Sequence, residues 1–380
     1  MIVIVANPSS TVCTLPPNLI AGRHSATVPR VTTFALIGSG WRAGMYLEVA
    51  HRLGTVRCAG VVVRTPRSLD VPTFTSLDDC MREARPDFVL TATPRAATPE
   101  VIAEAVDRGL PVLAETPPAP DLDGLRTLWA AVGGSRLVQV AEQYLLMPSH
   151  AARSALVATG AIGTPTQVQV SSTQQYHAVS LIRGLLGAGR GPVSVRASRF
   201  SAPLVSPLSR TGWTDDEEAH PTTTTIATLD FGGGRSGVYD FTEQQTRNQL
   251  RFRRLTVRGS QGELHDDRVL RMTEPRAVVE TPLVRRQSGH DLSLNGYDTE
   301  HITFGSQVLY RNPYPGRRWM DEEIAMATLL ERTAEWVRGE GPEPYPLAEG
   351  AQDQQIALAI EESATTGATL TTSREAWSQP

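Results

Sequence analysis

Alternating strand and helix patterns over residues 33–142 constrain the fold more than any other feature of this sequence. Five short apolar runs, each typical of a strand buried on both faces, are separated by segments with helical periodicity. The runs are FALIG, CAGVVVR, DFVLTAT, PVLAE and RLVQVAE. Five such strand–helix repeats within about 110 residues predict a doubly wound parallel sheet.

The pattern changes after Pro148. Longer runs with alternating polar and apolar residues follow, namely TPTQVQVSS, TTTTIATLDF, RSGVYDFT, LRFRRLTVRG and AVVETPLVRR. They predict an antiparallel sheet with one buried face and one face that is free or paired with another subunit. Two helices, DEEIAMATLLERTAEWVRG and QDQQIALAIEESATTG, are expected to close the chain. The predicted fold class is therefore α/β, with an N-terminal parallel sheet and a C-terminal α+β domain built on a large, mainly antiparallel sheet.

The 380 residues exceed the usual size of one hydrophobic core, so two domains are expected. We place a nucleotide-binding domain at residues 31–147. A substrate and oligomerisation domain follows at residues 148–380, and its C-terminal helices are able to pack back on the first domain. Residues 1–30, with scattered proline and serine, are interpreted as a disordered extension or as the product of a misplaced start codon.

Charge and composition exclude several function classes. The net charge of −4 offers no basic field for nucleic acid, and no run approaches the roughly 18 apolar residues of a membrane span. All 36 basic residues are arginine, so the chain can form no lysine Schiff base and has no lysine general base.

Cysteine and histidine spacing argues against a disulfide framework and against a metal site. The three cysteines are few and odd in number, which favours a reducing, cytoplasmic setting. The eight histidines show no H-x-x-x-H or H-x-x-E spacing, and we therefore expect no bound metal.

The segment GSGWRA matches the G-x-G-x-x-G/A pattern between the first predicted strand and helix. Gly38 allows a tight turn, Gly40 lets the backbone approach a pyrophosphate, and Ala43 allows close helix packing. With Trp41 and Arg42 these residues form the candidate cofactor turn of a Rossmann domain. A glycine turn without a ligand is the alternative interpretation.

The end of the second strand indicates which nucleotide is bound. Arg64, Thr65 and Arg67 stand where NAD-binding proteins usually carry an acid for the ribose 2′-hydroxyl. Arginine can bind a 2′-phosphate, so the sequence favours NADP over NAD. Alternatively, these are solvated loop residues.

Two further strand ends point to the same crevice. Thr93 and Pro94 close TATP, and Glu115 begins the ETPP sequence after the fourth strand. Ligands of open parallel sheets bind at the carboxyl ends of the strands. These three residues are therefore added to the candidate cofactor site.

With these motifs in this order, the chain resembles the glucose-fructose oxidoreductase, inositol dehydrogenase and MocA (Gfo/Idh/MocA) family from about Thr33 to Gly367. The resemblance implies an NAD(P)-dependent oxidoreductase that transfers hydride between nicotinamide and a sugar-like, polyol or cyclic alcohol or carbonyl substrate. It also implies a homodimer or homotetramer.

That family typically ends its fourth strand with Glu-Lys-Pro, which forms a turn beneath the nicotinamide. Here Glu115 and Pro117 match, but Thr116 replaces the lysine. Thr116 can donate a hydrogen bond in the site but supplies no positive charge.

The second family signature is Asp-x-x-x-His followed by a helix, which SSTQQYHAVSLIRGLLG resembles. His177 matches the histidine, whereas Thr173 and Ser180 stand in place of expected aspartates. The resemblance implies that His177 exchanges the substrate proton, and Tyr176 and Tyr144 are candidate phenolic donors. Alternatively, His177 only caps or packs its helix.

Two other functions stay open at this point. A non-catalytic nucleotide sensor or regulatory subunit would keep GSGWRA and dispense with the lysine. An enzyme that recycles a tightly held cofactor during a lyase or hydrolase reaction is the second alternative.

Overall fold

The computed structural model of the protein describes residues 31–65, 67–289 and 297–379. Its N-terminal part contains a six-stranded parallel sheet in the order β3-β2-β1-β4-β5-β6. The strands are β1 (Thr32–Ile37), β2 (Val56–Val62), β3 (Thr73–Phe74), β4 (Phe88–Thr91), β5 (Val112–Ala114) and β6 (Val138–Val140). The doubly wound parallel sheet is thus confirmed. The two-residue β3 is a sixth strand that leaves no apolar run in the sequence.

Four helices connect these strands, and local sequence signals set their ends. They are α1 (Trp41–Leu53), α2 (Leu77–Ala84), α3 (Thr98–Asp107) and α4 (Leu122–Val132). The side chains of Ser76 and Asp121 cap α2 and α4. Each accepts a hydrogen bond from the backbone N–H of the residue three positions later. Gly54, in the left-handed conformation with φ of 79°, ends α1.

The strand order reverses between β1 and β4. From β1 the chain builds outward through β2 and β3, and it then returns to the other side of β1 with β4. Such a reversal opens a crevice at the carboxyl ends of the central strands, where ligands of doubly wound sheets bind. Gly38 directly follows β1 at this crevice.

The C-terminal part contains an eleven-stranded sheet within the described residues. Its order is β18-β17-β16-β15-β14-β13-β7-β12-β11-β8-β19, and all neighbours are antiparallel except β7 and β12. In chain order the C-terminal strands are β7 (Pro165–Ser171), β8 (Ser194–Leu204), β9 (Leu208–Ser209), β10 (Gly212–Trp213), β11 (His220–Asp230), β12 (Ser236–Thr242), β13 (Arg254–Gly259), β14 (Gly262–His265), β15 (Arg268–Glu274), β16 (Ala277–Ser288), β17 (Asp298–Phe304), β18 (Gln307–Arg311) and β19 (Leu370–Thr371). β9 and β10 form a separate hairpin. The predicted large antiparallel sheet is therefore confirmed.

Four more helices complete the described fold: α5 (Pro148–Ala158), α6 (Gln175–Leu186), α7 (Asp321–Val337) and α8 (Leu347–Thr366). α6 and α8 pack on the inner face of the large sheet, where Ile182 and Ile356 join a core with Val195. α7 packs instead against α1, and Leu330 shares a core with Tyr46. The C-terminal segment thus contributes a helix to the part of the fold that contains the parallel sheet.

Some predicted boundaries were wrong. The strand predicted from Leu250 begins at Arg254, because Leu250 lies in a turn in which its backbone N–H donates to Asn248 Oδ1. β8 was not predicted, since most of its outward positions are polar or charged. α8 begins at Leu347, five residues before the predicted QDQQ start, with Pro346 as its N-cap residue.

Within the described residues, no helix is long and apolar enough to cross a membrane. Cys58 and Cys80 are buried free thiols, and burial raises the pKa of each to about 11. Cys13 and the predicted extension at residues 1–30 lie outside the described residues.

Candidate active site

The turn between β1 and α1 has the shape that a bound phosphate requires. Gly38 has φ of 123°, and a Cβ at this position would lie 2.3 Å from the carbonyl oxygen of Ala92. Gly40 is the N-cap residue of α1, and a Cβ at this position would have no atom of the protein within 4 Å. The first turn of α1 contains no acid, so its free N–H groups and open surface suit a pyrophosphate. Ala43 is buried against the sheet.

Trp41 lies at the start of α1 and is 54% exposed. The guanidinium of Arg42 lies 5.0 Å from the centre of its ring, and that of Arg210 lies 4.5 Å away. Arg210 belongs to the β9–β10 hairpin, so the C-terminal part of the chain reaches the cofactor turn at this point.

The candidate 2′-phosphate residues follow β2, as predicted. Arg64, Thr65 and Arg67 are all exposed. Within the described parts of the chain, neither arginine side chain has an acidic partner at salt-bridge distance. Both guanidinium groups are therefore available to an anionic ligand.

The loop after β4 is fixed by its own hydroxyl groups. Thr93 Oγ1 lies 3.0 Å from Thr98 Oγ1, and Thr98 also donates to the carbonyl oxygen of Pro94 at 3.3 Å. This loop borders the crevice next to the β1–α1 turn, since a Cβ on Gly38 would strike Ala92.

Glu115 is the centre of a polar cluster at the end of β5. Its carboxylate accepts from the Tyr46 hydroxyl at 3.2 Å and from Thr116 Oγ1 at 3.5 Å, and Arg42 Nε lies 3.5 Å away. Burial raises the pKa of Glu115, and the nearby Arg42, His177 and Tyr46 act in the opposite direction. The peptide bond from Thr116 to Pro117 is cis. We call residues 115–117 the shelf.

A cation from α1 lies beside the shelf, although Thr116 itself carries no charge. Arg42 Nη1 donates to Glu322 Oε1 on α7 at 2.6 Å, while Arg42 Nε faces Glu115. Burial alone would lower the pKa of Arg42, but attraction to Glu115 and Glu322 outweighs burial and raises it. The side chain of Arg42 therefore contacts carboxylates, and only its backbone is placed to contact a phosphate.

His177 is paired with a carboxylate that was not predicted from the sequence. Glu142, two residues after β6, places Oε2 2.6 Å from His177 Nδ1. The Glu142 side chain is fully buried, whereas the His177 side chain is 15% exposed. A carboxylate at Nδ1 fixes the proton on that nitrogen and leaves Nε2 free for exchange with a ligand.

The two candidate tyrosines flank the imidazole. The Tyr144 ring stacks on the His177 ring with centroids 4.2 Å apart, and the Tyr144 backbone N–H donates to Glu142 Oε1 at 2.9 Å. Tyr176 meets the same ring edge-on at 5.5 Å. Burial raises the pKa of both phenols, and the effect is stronger for Tyr176, so both hydroxyls stay protonated near neutral pH.

The residues in the family's aspartate positions have structural contacts. Ser180 Oγ donates to the His177 carbonyl oxygen at 2.9 Å within α6. Thr173 is buried, and its hydroxyl has no hydrogen-bond partner within the described residues, so it contributes by packing. The histidine that seemed to lack an acid therefore has one from a different part of the chain.

Glu142, Tyr46 and Glu322 are the site residues that were not predicted. Glu142 could have been recognised, because it ends the strand pattern RLVQVAE at the same sheet edge as Glu115. Tyr46 could not be recognised, because the sequence around it shows only the apolar pattern of a helix. Glu322 could not be recognised either, because it lies 280 residues from its partner Arg42. Within the described residues, no cluster of three or more possible ligands could hold a metal ion.

The parallel sheet, the Gly38 turn and the crevice define a dinucleotide-binding Rossmann domain. Residues 32–142 match the model of the Gfo/Idh/MocA oxidoreductase family, NAD-binding Rossmann fold. The matched segment is the Rossmann domain, and the large antiparallel sheet follows it in the chain.

Inositol 2-dehydrogenase from Rubrobacter xylanophilus is 30% identical over 144 residues, which are 34% of this chain and 40% of that enzyme. A second curated inositol 2-dehydrogenase, from Saccharopolyspora erythraea, also matches over 40% of its length, so the matched segment spans well under half of either relative.

Solved structures resemble the chain over most of its length. An oxidoreductase from Agrobacterium radiobacter, in complex with NAD+, L-tartaric acid and magnesium, has a TM-score of 0.64 and 15% identity, and the match covers 90% of this chain and 98% of that one. A myo-inositol dehydrogenase from Corynebacterium glutamicum has a TM-score of 0.60 and 19% identity, with 90% and 99% covered. At these identities the likeness shows a common fold.

Proposed function

We propose that the protein is an NAD(P)-dependent oxidoreductase that acts on a polyol, a cyclic alcohol or the corresponding carbonyl compound. The observation that carries the proposal is the pairing of Glu142 with His177 beside the shelf. A proton-exchanging imidazole next to a nicotinamide-binding crevice is what alcohol–carbonyl interconversion needs.

The residues at the crevice fit a dinucleotide. The backbone N–H groups after Gly38 and Gly40 would hold the pyrophosphate, and the shelf would support the nicotinamide end. When bound, the nicotinamide supplies or accepts the hydride. Glu115, held by Arg42 and Tyr46, would fix the position of the shelf.

His177 exchanges the substrate proton at Nε2 in this proposal. With its Nδ1 proton held by Glu142, a neutral His177 accepts the hydroxyl proton of an alcohol during oxidation. In the reverse direction the imidazolium returns that proton to the carbonyl oxygen. The partly buried Tyr144 ring stacks on the imidazole and restricts it to one orientation. Thr116, within the shelf, is partly exposed and would donate a hydrogen bond to the substrate. The Tyr176 hydroxyl is buried beside Gly350 of α8 and is not accessible to a substrate.

The preferred nucleotide in the proposal is NADP. Support comes from Arg64 and Arg67, which are exposed after β2 where an acid would favour NAD. The family model and the NAD+ complex of the Agrobacterium radiobacter structure support binding of the nicotinamide dinucleotide class in general.

The first test is calorimetric titration with NADPH and with NADH, after mass spectrometry of the purified protein for bound cofactor. A turnover assay with myo-inositol and related polyols follows, because the matched relatives are named inositol 2-dehydrogenases. Exchangeable binding with turnover supports the proposal. Binding without turnover on polyols and keto sugars would favour the sensor, and tightly copurifying cofactor would favour internal recycling.

We also propose that the protein assembles as a homodimer or homotetramer through the outward face of the large sheet. Apolar side chains alternate onto that face and remain exposed in the single chain, among them Phe200, Ile226, Leu270, Met272 and Val278. An apolar face of this kind on an open sheet is typical of a subunit contact.

A further inference from the structure

We propose that Arg42 is a positioning residue that holds the shelf carboxylate ionised and ties the cofactor helix, the shelf and α7 into one unit. The inference rests on the proposed function in one respect, because the shelf is taken to lie beside the nicotinamide. Its physical content, the state and position of Glu115, can be measured without turnover.

Arg42 joins three elements that the chain brings together from distant positions. It lies on α1, its Nη1 donates to Glu322 on α7, and its Nε faces Glu115 after β5. Gln143 Nε2 also donates to Glu322 Oε1 at 3.4 Å. The arginine is one residue beyond Trp41, where the backbone is placed to bind the pyrophosphate. A cofactor bound to this turn is therefore connected through one side chain to the shelf.

Arg42 opposes the effect of burial on the pKa of Glu115. The carboxylate is largely buried, and burial favours its protonated form. Arg42 is the strongest of the groups that oppose this effect, ahead of His177 and the Tyr46 hydroxyl. Removal of one partner from a buried pair leaves an uncompensated charge, which is far more costly than the loss of an exposed pair.

An arginine is the only side chain of permanent positive charge that this chain possesses, since it has no lysine. Its planar guanidinium offers several donors in fixed directions and can bridge two carboxylates from one position. The ion pair between Arg52 and Glu323 also joins α1 to α7, at 3.1 Å, but it has no contact with the shelf. The two arginines thus form a natural pair of test and control positions.

The decisive variants are Arg42→Gln, Arg42→Lys, the double variant Arg42→Gln/Glu115→Gln, and Arg52→Gln as the control. Infrared spectra of the full chain in the presence of NADPH report protonated buried carboxyl groups. We expect Arg42→Gln to gain a protonated-carboxyl band near neutral pH, and we expect the double variant to lose it. Arg42→Lys and Arg52→Gln should resemble the unsubstituted protein.

Unfolding in urea provides the second measurement. Arg42→Gln should lower the urea midpoint, because Glu115 must then either stay charged without a partner or take up a proton. Glu115→Gln in the same chain should recover part of the loss, because an amide requires neither. Arg52→Gln should shift the midpoint less, and Glu115→Gln should give it no recovery.

Once a substrate is known, steady-state kinetics of the Arg42 variants provide the third measurement. Arg42→Gln should lower kcat by about 10-fold to 100-fold, because a displaced shelf loses the productive geometry. Arg42→Lys should recover only part of it, because lysine keeps the charge but cannot bridge both carboxylates. The proposal is overturned if Arg42→Gln gains no carboxyl band and shows no coupling with Glu115→Gln. A failure to find any turnover would instead count against the proposed function, because the infrared and urea results do not depend on a substrate.

Discussion

Glu142 and His177 form a carboxylate–imidazole pair that joins the end of β6 to α6, with Oε2 2.6 Å from Nδ1. The carboxylate is fully buried and the imidazole is partly exposed, so one side of the ring is fixed while the other can meet a ligand. The pair supplies the acid that Thr173 and Ser180 do not.

Loss of the imidazole should remove proton exchange and leave nucleotide binding almost intact. We expect His177→Ala to lower kcat by about 10²–10⁴-fold, with little change in the dissociation constant of NADPH. Glu142→Gln should also lower kcat, because an amide can present its N–H to Nδ1 and stabilise the wrong tautomer. Steady-state kinetics and calorimetry check both variants. An unchanged rate in His177→Ala would remove the histidine from the mechanism.

The two glycines of the cofactor turn should respond differently to alanine. Gly38→Ala forces a Cβ against the Ala92 carbonyl at a positive φ and should lower the free energy of unfolding by ~3 kcal/mol. Gly40→Ala meets no atom of the protein, so it should preserve stability and weaken dinucleotide binding by crowding the ligand. Urea unfolding and NADPH titration separate the two effects. Equal destabilisation of both variants would contradict the described turn.

Arg64 and Arg67 should distinguish the two nucleotides. Replacement of both by alanine should weaken NADPH binding by about 10-fold or more, because bonds to a charged phosphate are lost, and should change NADH binding little. The difference should shrink at high salt, since both side chains are exposed. Equal losses for the two nucleotides would refute an NADP preference.

His150 should make the protein less stable in acid. Burial, with Arg153 as the second cause, lowers the pKa of His150 from 6.5 to about 3, so the folded state resists a proton that the unfolded chain accepts. The contribution of neutral His150 to the free energy of unfolding is fully present above pH 6.5. It is lost as the pH falls toward 3, at about 1.4 kcal/mol per pH unit.

Urea unfolding at two pH values tests this expectation. Between pH 6.5 and pH 5, His150→Gln should reduce the fall in the free energy of unfolding by about 2 kcal/mol. The exposed His51 serves as the control, and His51→Gln should leave the fall unchanged. The expectation is wrong if His150→Gln has the same pH dependence as the parent chain.

A charge on the outward face of the large sheet should disrupt the proposed oligomer. Val278 is 65% exposed and lies across from Met272 on the neighbouring strand. Val278→Glu should shift the mass measured by light scattering toward a single chain, because a carboxylate would be buried at the contact. Arg196→Glu on the same face exchanges one exposed charge for another and serves as a milder comparison. The proposed oligomer is refuted if the unsubstituted protein is monomeric.

The sequence predicted the parts of the fold that depend on local pattern. Apolar runs between helical segments located five of the six Rossmann strands, and the GSGWRA motif located the turn that Gly38 makes. β3 was missed because two edge residues carry no periodic signal. β8 was missed because its exposed side chains hide the alternation.

The site was harder to predict because its contacts cross the chain. The pairing of Glu142 with His177 spans 35 positions, and that of Arg42 with Glu322 spans 280. Family analogy directed attention to the missing lysine and aspartates at fixed positions. The side chains that restore the charges lie elsewhere in sequence and meet only when the sheet and helices are packed.

The division of the Glu142–His177 pair between β6 and α6 also bears on how such a chain can be recombined. Exchange of the Rossmann half for that of a relative would bring a new carboxylate position to an old imidazole, and the histidine would then lose its orienting partner. The two parts of the chain share one carboxylate–imidazole pair, so a working chimera has to inherit both ends of the pair together.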